Sequence, residues 1–246
     1  MSIIGDGPKL TLGFRECKPR EQQSRDEGEL VASKQLISNV TGTYKNFIDV
    51  VVYDALACNS CWINLNINLG IDVVVRVKKN KNNSIKQVKK KTNKQDPIEI
   101  WEDEKEFDYV KIYESEFAMD NVDQPLRFIK FAMKYPDKKR SQIMIVTTCM
   151  DMSLKTLFKI IRARWDVENS TFNNLKNGCN LGRCYVHEGR AVEAILYLLF
   201  IANNLMQLFQ IRRLRNRYQT QREMIRLLLK GLYLLKYKPE IAFNTS

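Results

Sequence analysis

Long apolar runs are scarce in the chain. No basic, apolar and small-residue signal opens it, and its longest unbroken apolar run, Ala194–Ala202, stops between Glu193 and Asn203. That run is well short of the ~20 residues a helical membrane span needs. The expectation is therefore no membrane partner and a reducing, cytoplasmic setting. Cysteine is scarce too: six in 246 residues cannot be a disulfide scaffold. No internal repeat is visible. Acidic residues are missing altogether from Lys78–Lys94, "KKNKNNSIKQVKKKTNK".

That local deficit belongs to a global one. Forty Lys and Arg face twenty-eight Asp and Glu, for a net charge of +12 and a pI near 9.4. Such an excess points to a polyanion, most often nucleic acid; a basic but inert surface is the alternative. With 44% hydrophobic residues and a mean hydropathy of −0.36, the composition is that of a soluble globular protein. The length suits one domain, or one domain carrying an insertion.

Periodicity supplies the elements. "MSII" and "KLTLGFREC" flank the turn "GDGP" as a hairpin. "ELVASKQLISNV" has helical spacing. "NFIDVVVYD" and "IDVVVRVK" read as buried strands around a short helix that Gly70 stops. Residues 78–140 change from basic to acidic with partial alternation, and read as an inserted, strand-rich subdomain. "QIMIVTT" resumes the buried-strand pattern, and Ser153 is an N-cap for one long helix to Lys176. Two further helices, about 188–218 and 220–236, finish the chain. Strands alternating with helices predict an α/β layered fold with some parallel pairing. Ligands in such sheets gather at the carboxyl ends of strands, where Asp54 lies. The division that follows is 1–77 and 141–186 for the two parts of the core, 78–140 for the insertion, and 187–246 for the C-terminal helices.

One carboxylate sits on the wrong face of its helix. At ~100° per residue from Arg164, the apolar residues Leu154, Leu157, Ile160, Ile161, Trp165, Val167, Phe172 and Leu175 cover about −60° to 120°. Glu168 falls near 40°, inside that stripe, and Asp166 near 200°, outside it. A buried carboxylate must be paired, protonated or metal-bound. Arg164, one turn earlier, allows a structural Arg–Glu pair. The functional alternative couples Glu168 to Asp54, two oxygen donors that could hold Mg²⁺ or Mn²⁺ for phosphodiester chemistry. Asp54 has its own plain reading as a turn or capping residue.

"IIRARWDVENSTFNNLK" also resembles the glutamate helix of the DDE transposases of bacterial insertion sequences, of the insertion-sequence-four-like group. The signature there is Tyr, two residues, Arg, three residues, Glu, six residues, Lys. Arg164 and Glu168 match it, Ile161 stands at the Tyr position, and Lys176 falls one residue late, after Leu175. "FIDVVVYDALACNSCWINLNINLGIDVVVRVK" is similar to the family's second-aspartate region, with Asp54 as that aspartate, and "SQIMIVTTCMDMSLKTLFKII" to the strand and helix before the glutamate.

The resemblance spans about residues 1–215. It implies an RNase H-like mixed sheet flanked by helices, a β-rich insertion before the glutamate helix, and a helical C-terminus. It also implies two Mg²⁺ (or Mn²⁺) ions on Asp, Asp and Glu, and nicking of double-stranded DNA at transposon ends. Strand transfer by a 3′-hydroxyl would follow, in the bacterial cytoplasm at the nucleoid. Arg164 and Lys176 would then touch phosphates, or Arg164 would orient Glu168. The family's first aspartate precedes the hairpin, whereas here only Asp6, in the "GDGP" turn, is near. The expectation is an N-terminally truncated transposase with little or no activity.

Further candidates divide between function and packing. Lys78, Lys79, Lys89, Lys90 and Lys91, with Arg212 and Arg213, are read as salt-sensitive phosphate contacts, or as a solvated surface. Trp101 is a core residue or a stacking platform. Cys58 and Cys61, with Cys179, Cys184 and His187, are free structural residues or a zinc site. "MIRLLLKGLYLLK" is a homodimer face or a packing helix. Two rival functions remain: a DNA-binding remnant without chemistry, and a basic α/β protein whose Arg164–Glu168 pair is structural.

Overall fold

The structure is a computed structural model that describes residues 1–15, 17, 28–78, 82–104, 106–137, 139–165, 167, 172–178, 181, 187–213 and 221–237. It divides into two compact units. One holds Met1 and residues 13–165; the other holds residues 2–12 and 166–246.

The first unit is built on a six-stranded sheet of β1 (Val50–Tyr53), β2 (Asp72–Arg76), β3 (Glu99–Glu104), β4 (Phe107–Phe117), β5 (Leu126–Lys134) and β6 (Arg140–Thr147). Their order is β1-β2-β6-β5-β4-β3. β1 and β2 are parallel and every other pair is antiparallel. The parallel pair needs a crossover, and "CNSCWINLNINLG" supplies it as α2 (Ser60–Asn68). Asn59 caps its first turn by accepting from the Trp62 amide, and Gly70 leaves it at φ +72°, a conformation that favours glycine.

Alternation divides the core between the two faces of this sheet. Val73, Val75, Phe128 and Val146 meet α1 (Glu29–Thr43), α2 and α3 (Asn83–Thr92) through Ile37, Trp62, Ile63, Ile85 and Val88. Val74, Val110, Ile112, Ile129, Phe131 and Ile145 meet α4 (Leu154–Ala163) through Leu157, Phe158 and Ile161. The unit is thus a three-layer α/β arrangement around a mixed sheet.

Three local results refine the periodicity reading. The basic run 78–94, which had no assigned element, contains α3. Its Ile85, Val88 and Thr92 repeat at helical spacing and are buried, and its lysines take the remaining positions. Segment 78–140 is strand-rich as expected, and its β3, β4 and β5 extend the sheet that holds β1, β2 and β6. Within the helix expected from Ser153 to Lys176 the described elements are α4, capped by Ser153 as expected, and α5 (Asn173–Gly178); residues 166 and 168–171 lie outside the described residues.

The second unit contains α5, α6 (Gly189–Arg212) and α7 (Gln221–Tyr237), with α5 against both of the others and Leu175 fully buried. The expected N-terminal hairpin is here a single bridge, Ser2 to Thr11. Ile3 N–H donates to the Leu10 carbonyl at 2.8 Å, and the backbone of Lys9 and Thr11 is satisfied by side-chain amides of α6. Thr11 N–H donates to Asn204 Oδ1 at 2.8 Å, and Asn204 Nδ2 donates back to the Thr11 carbonyl at 2.8 Å. Gln207 does the same at Lys9, accepting at 3.0 Å and donating at 3.3 Å. Backbone groups need partners of some kind, and a sheet is only one source of them. Among the described residues, α6 is by length and composition alone long and apolar enough to cross a membrane. The continuous-run criterion missed this, because Glu193 and Asn203 interrupt the sequence without changing its average.

Candidate functional site

β1 and β2 run parallel and adjacent, with Tyr53 opposite Val75, so their carboxyl ends lie side by side. The first residue past β1 is Asp54. It caps a one-turn 3-10 helix, Ala55–Ala57, and its carboxylate accepts from the Ala55 amide. The turn-capping reading of Asp54 is therefore satisfied. Capping leaves the second oxygen available, and Lys78, just beyond β2, donates to Oδ2 at 3.2 Å. Both side chains are partly exposed, Asp54 at 35% and Lys78 at 56%.

α4 delivers the third component. Leu157 and Ile161 bury it against the sheet, and its C-terminal end carries Arg164 and Trp165. Arg76, the last residue of β2, places its guanidinium 5.5 Å from the Trp165 ring centroid, and Arg164 places its own at 5.7 Å. The indole thus takes two cation–π contacts. Trp165 is 46% exposed, which corrects its placement in the apolar stripe. It lies beyond the last regular turn of α4, where a wheel drawn from Ser153 no longer describes the side-chain direction.

Desolvation by burial raises the Asp54 carboxyl. The Ala55 amide, the Lys78 ammonium and the Arg164 charge outweigh it and hold the group below its ordinary value. The carboxylate is ionised at neutral pH under the charges of Lys78 and Arg164, and Arg76 joins Arg164 on the Trp165 ring. Arg76 received no role from the sequence, where it looked like the end of a valine run. The available signal was its strand parity with Val74, which packs against α4.

The other candidates are distributed as follows. Glu168 and Lys79 lie outside the described residues, as do Cys179 and Cys184. Lys90 and Lys91 are exposed on α3, and Lys89 is half-buried there. Lys176 is exposed on α5, and Arg212 and Arg213 are exposed at the end of α6. Trp101 is 7% exposed and packs on Phe158 and Phe131, with ring centroids 5.6 and 6.1 Å away, so it is a core residue. Cys58 is buried, Cys61 is exposed, and neither forms a disulfide.

Among the described residues no group of three potential ligands could hold a metal ion. Asp54 alone does not fit Mg²⁺, which takes octahedral oxygen coordination, and a lysine ammonium occupies one of its lone-pair directions. The described arrangement by itself is suited to an anion: Lys78 and Arg164 act on the one capped carboxylate, Arg76 shares the Trp165 ring with Arg164, and such cations can engage a phosphodiester backbone.

A family model described as the transposase DDE domain matches residues 25–205. That interval contains α1–α5, all six strands, and Asp54, Arg164 and Glu168. The cryo-EM structure of a piggyBac transposase synaptic complex with hairpin DNA aligns with 92% of this chain at 12% identity and a TM-score of 0.47. This chain spans 44% of the length of that one. No curated protein matches.

Proposed function

The chain belongs to the transposase DDE domain family, and from that premise we propose that it acts on double-stranded DNA at transposon ends. The reaction is metal-dependent nicking followed by strand transfer. The observation that carries the proposal is the position of Asp54 at the carboxyl end of the parallel pair, its carboxyl held below its ordinary value by the Ala55 amide, Lys78 and Arg164, with Arg76 sharing the Trp165 ring with Arg164. We assign Asp54 and Glu168 as the metal-holding carboxylates, on the motif spacing that brackets Arg164. A bound Mg²⁺ or Mn²⁺ would supply an activated water and charge stabilisation at the phosphodiester.

The chain's own residues do the rest. Asp54 stays deprotonated and is held in one orientation by the Ala55 amide. Arg76 and Arg164 offer fixed guanidinium forks to phosphate oxygens, and Trp165 keeps them from swinging away. Lys78 neutralises Asp54 and would exchange that contact for a phosphate. Lys89, Lys90, Lys91, Lys176, Arg212 and Arg213 add sequence-independent phosphate affinity. The proposal includes an RNase H-like form of the core, the insertion-sequence-four-like group, a homodimer, and a bacterial cytoplasmic location.

A second reading is a DNA-binding remnant without chemistry. It is favoured by the surplus of cations over carboxylates around Asp54. One experiment separates the two. A labelled duplex carrying the element's terminal sequence is incubated with the chain and Mg²⁺ or Mn²⁺, and nicking and retention are read separately. Nicking that disappears in Asp54→Asn and Glu168→Gln while the gel shift persists supports the transposase. Binding without nicking in the parent chain supports the remnant. Nicking that survives both substitutions refutes the assignment of the carboxylates.

A further inference from the structure

One half of the sheet face that α1–α3 cover is left bare. Along β4 the residues Phe117 and Ser115 point toward that side and are covered, Ser115 by Thr92 and Gln95 of the α3 end. The same parity continues to Tyr113, Lys111 and Tyr109, which lie beyond the helices and are partly exposed. The strand register then defines three rows across β4, β5 and β6. They are Tyr109–Lys134–Arg140, Lys111–Ala132–Gln142 and Tyr113–Lys130–Met144.

The chemistry of this patch is specific. Two tyrosines sit four residues apart on one strand, about 13 Å along it. Lysines overlie both rings: Lys130 is 4.3 Å from the Tyr113 centroid, and Lys111 and Lys134 are 5.3 and 5.5 Å from that of Tyr109. Between the tyrosines the β5 position is Ala132, and the missing bulk leaves a shallow depression of about 570 Å³. Arg140 closes one side. From α3, the Lys89 charge bears on Lys130, and burial together with that charge pushes the Lys130 ammonium below its ordinary value. The nearby acids are Asp108, paired with Lys134 at 2.9 Å, and Glu102 on β3, in register with Tyr109. Five cations against two acids make a site that lacks an anion.

We propose that the β4–β5–β6 face binds single-stranded DNA, with unpaired bases stacking on Tyr109 and Tyr113 and phosphates on Lys111, Lys130, Lys134 and Arg140. Duplex bases are buried in their own stack and cannot meet a flat tyrosine, whereas unpaired bases can, and basic grooves with aromatic platforms bind single strands without sequence preference. The choice of DNA over RNA rests on the proposed action at transposon ends. The platform itself lies on strands apart from the Asp54 site, so it can fail independently.

The test uses the full chain and fluorescence anisotropy with labelled oligothymidylate, the matching duplex, and oligouridylate. The expected result is a drop of tenfold or more in oligothymidylate affinity for Tyr109→Leu/Tyr113→Leu, with duplex affinity within twofold of the parent. Tyr109→Phe/Tyr113→Phe should bind as the parent does. Lys130→Gln/Lys134→Gln should lower the slope of log affinity against log salt by ~1.4 for the single strand, and this keeps the test open should the leucine variant not fold. Folded leucine variants that bind oligothymidylate as tightly as the parent would overturn the proposal, as would no binding by the parent or tighter binding of oligouridylate. Loss of nicking with the platform intact would refute the function proposed above and leave this one standing.

Discussion

Arg127 is the most informative residue to remove. It lies on β5, 7% exposed, and its guanidinium serves four acceptors. Nε donates to Glu114 Oε1 at 2.5 Å on the neighbouring strand. Nη1 donates to the carbonyls of Cys149, Met150 and Met152 at 2.7, 2.9 and 2.9 Å. Those carbonyls belong to the connection from β6 to α4, so Arg127 ties the start of α4 to the sheet. Hydrogen bonds to a charged group are worth about 1.5–3 kcal/mol each, and a simple sum of four would reach roughly 6–12 kcal/mol. That sum overshoots. The guanidinium no longer has to be desolvated once it is removed, and loop carbonyls can turn toward water. Breaking a buried pair by deleting one partner costs about 3–5 kcal/mol.

Arg127→Met, which keeps most of the volume, should therefore destabilise the chain by about 3–4 kcal/mol. Urea unfolding followed by far-UV circular dichroism would read this as a lower midpoint at unchanged slope. Adding Glu114→Leu should recover part of the loss, because it removes the stranded carboxylate. A loss below about 1 kcal/mol, within the range of exposed ion pairs, would refute the reasoning, as would a double variant no better than the single one.

Two predictions concern titration. The folded Asp54 carboxyl is held below its ordinary value, so its contribution to stability is complete above the unfolded value of about 3.9 and is lost as pH falls through the folded one. Asp54→Asn should flatten stability against pH below about 4, and an unchanged profile would contradict the Lys78 and Ala55 contacts. Tyr53 is pushed up to about 12, first by burial, then by the Glu29 charge and the hydrogen bond its hydroxyl donates to that carboxylate at 3.0 Å. It should be among the last tyrosines to ionise in an ultraviolet titration, and Glu29→Gln should bring it only part of the way down. Because the folded state keeps a proton that the unfolded state releases, stability falls as pH rises above about 10; a Tyr53→Phe variant with the same alkaline profile would refute this.

Elements that stabilise themselves locally were readable. The β1 and β2 strands, α2 with its Gly70 stop, the Ser153 cap and the α6 and α7 helices follow from valine runs, capping residues and periodicity. Each depends on its own neighbours in the chain. α3 was hidden because its ten residues lie inside one charge run, and the three buried residues that make it a helix are scattered among lysines. The N-terminal hairpin pairs across a single antiparallel bridge, with Ile3 N–H donating to the Leu10 carbonyl. Its other backbone partners are Asn204 and Gln207, roughly two hundred residues away, and no local pattern announces them.

The candidate site divides in the same way. Chain spacing identified Asp54 as a strand-end carboxylate, Arg164 as its family-matched neighbour, and a charge that calls for a polyanion. Only the fold could show that Arg76 reaches Trp165, that Lys78 pairs with Asp54, and that Trp101 packs in the core while Tyr109 and Tyr113 look out. The sequence by itself determined the family, most of the elements and the sign of the net charge, because these follow from local composition and motif. Tertiary structure alone decided which cations share a carboxylate and which aromatics face solvent. Those outcomes depend on strand register and on where the covering helices end, and residues far apart in the chain set both.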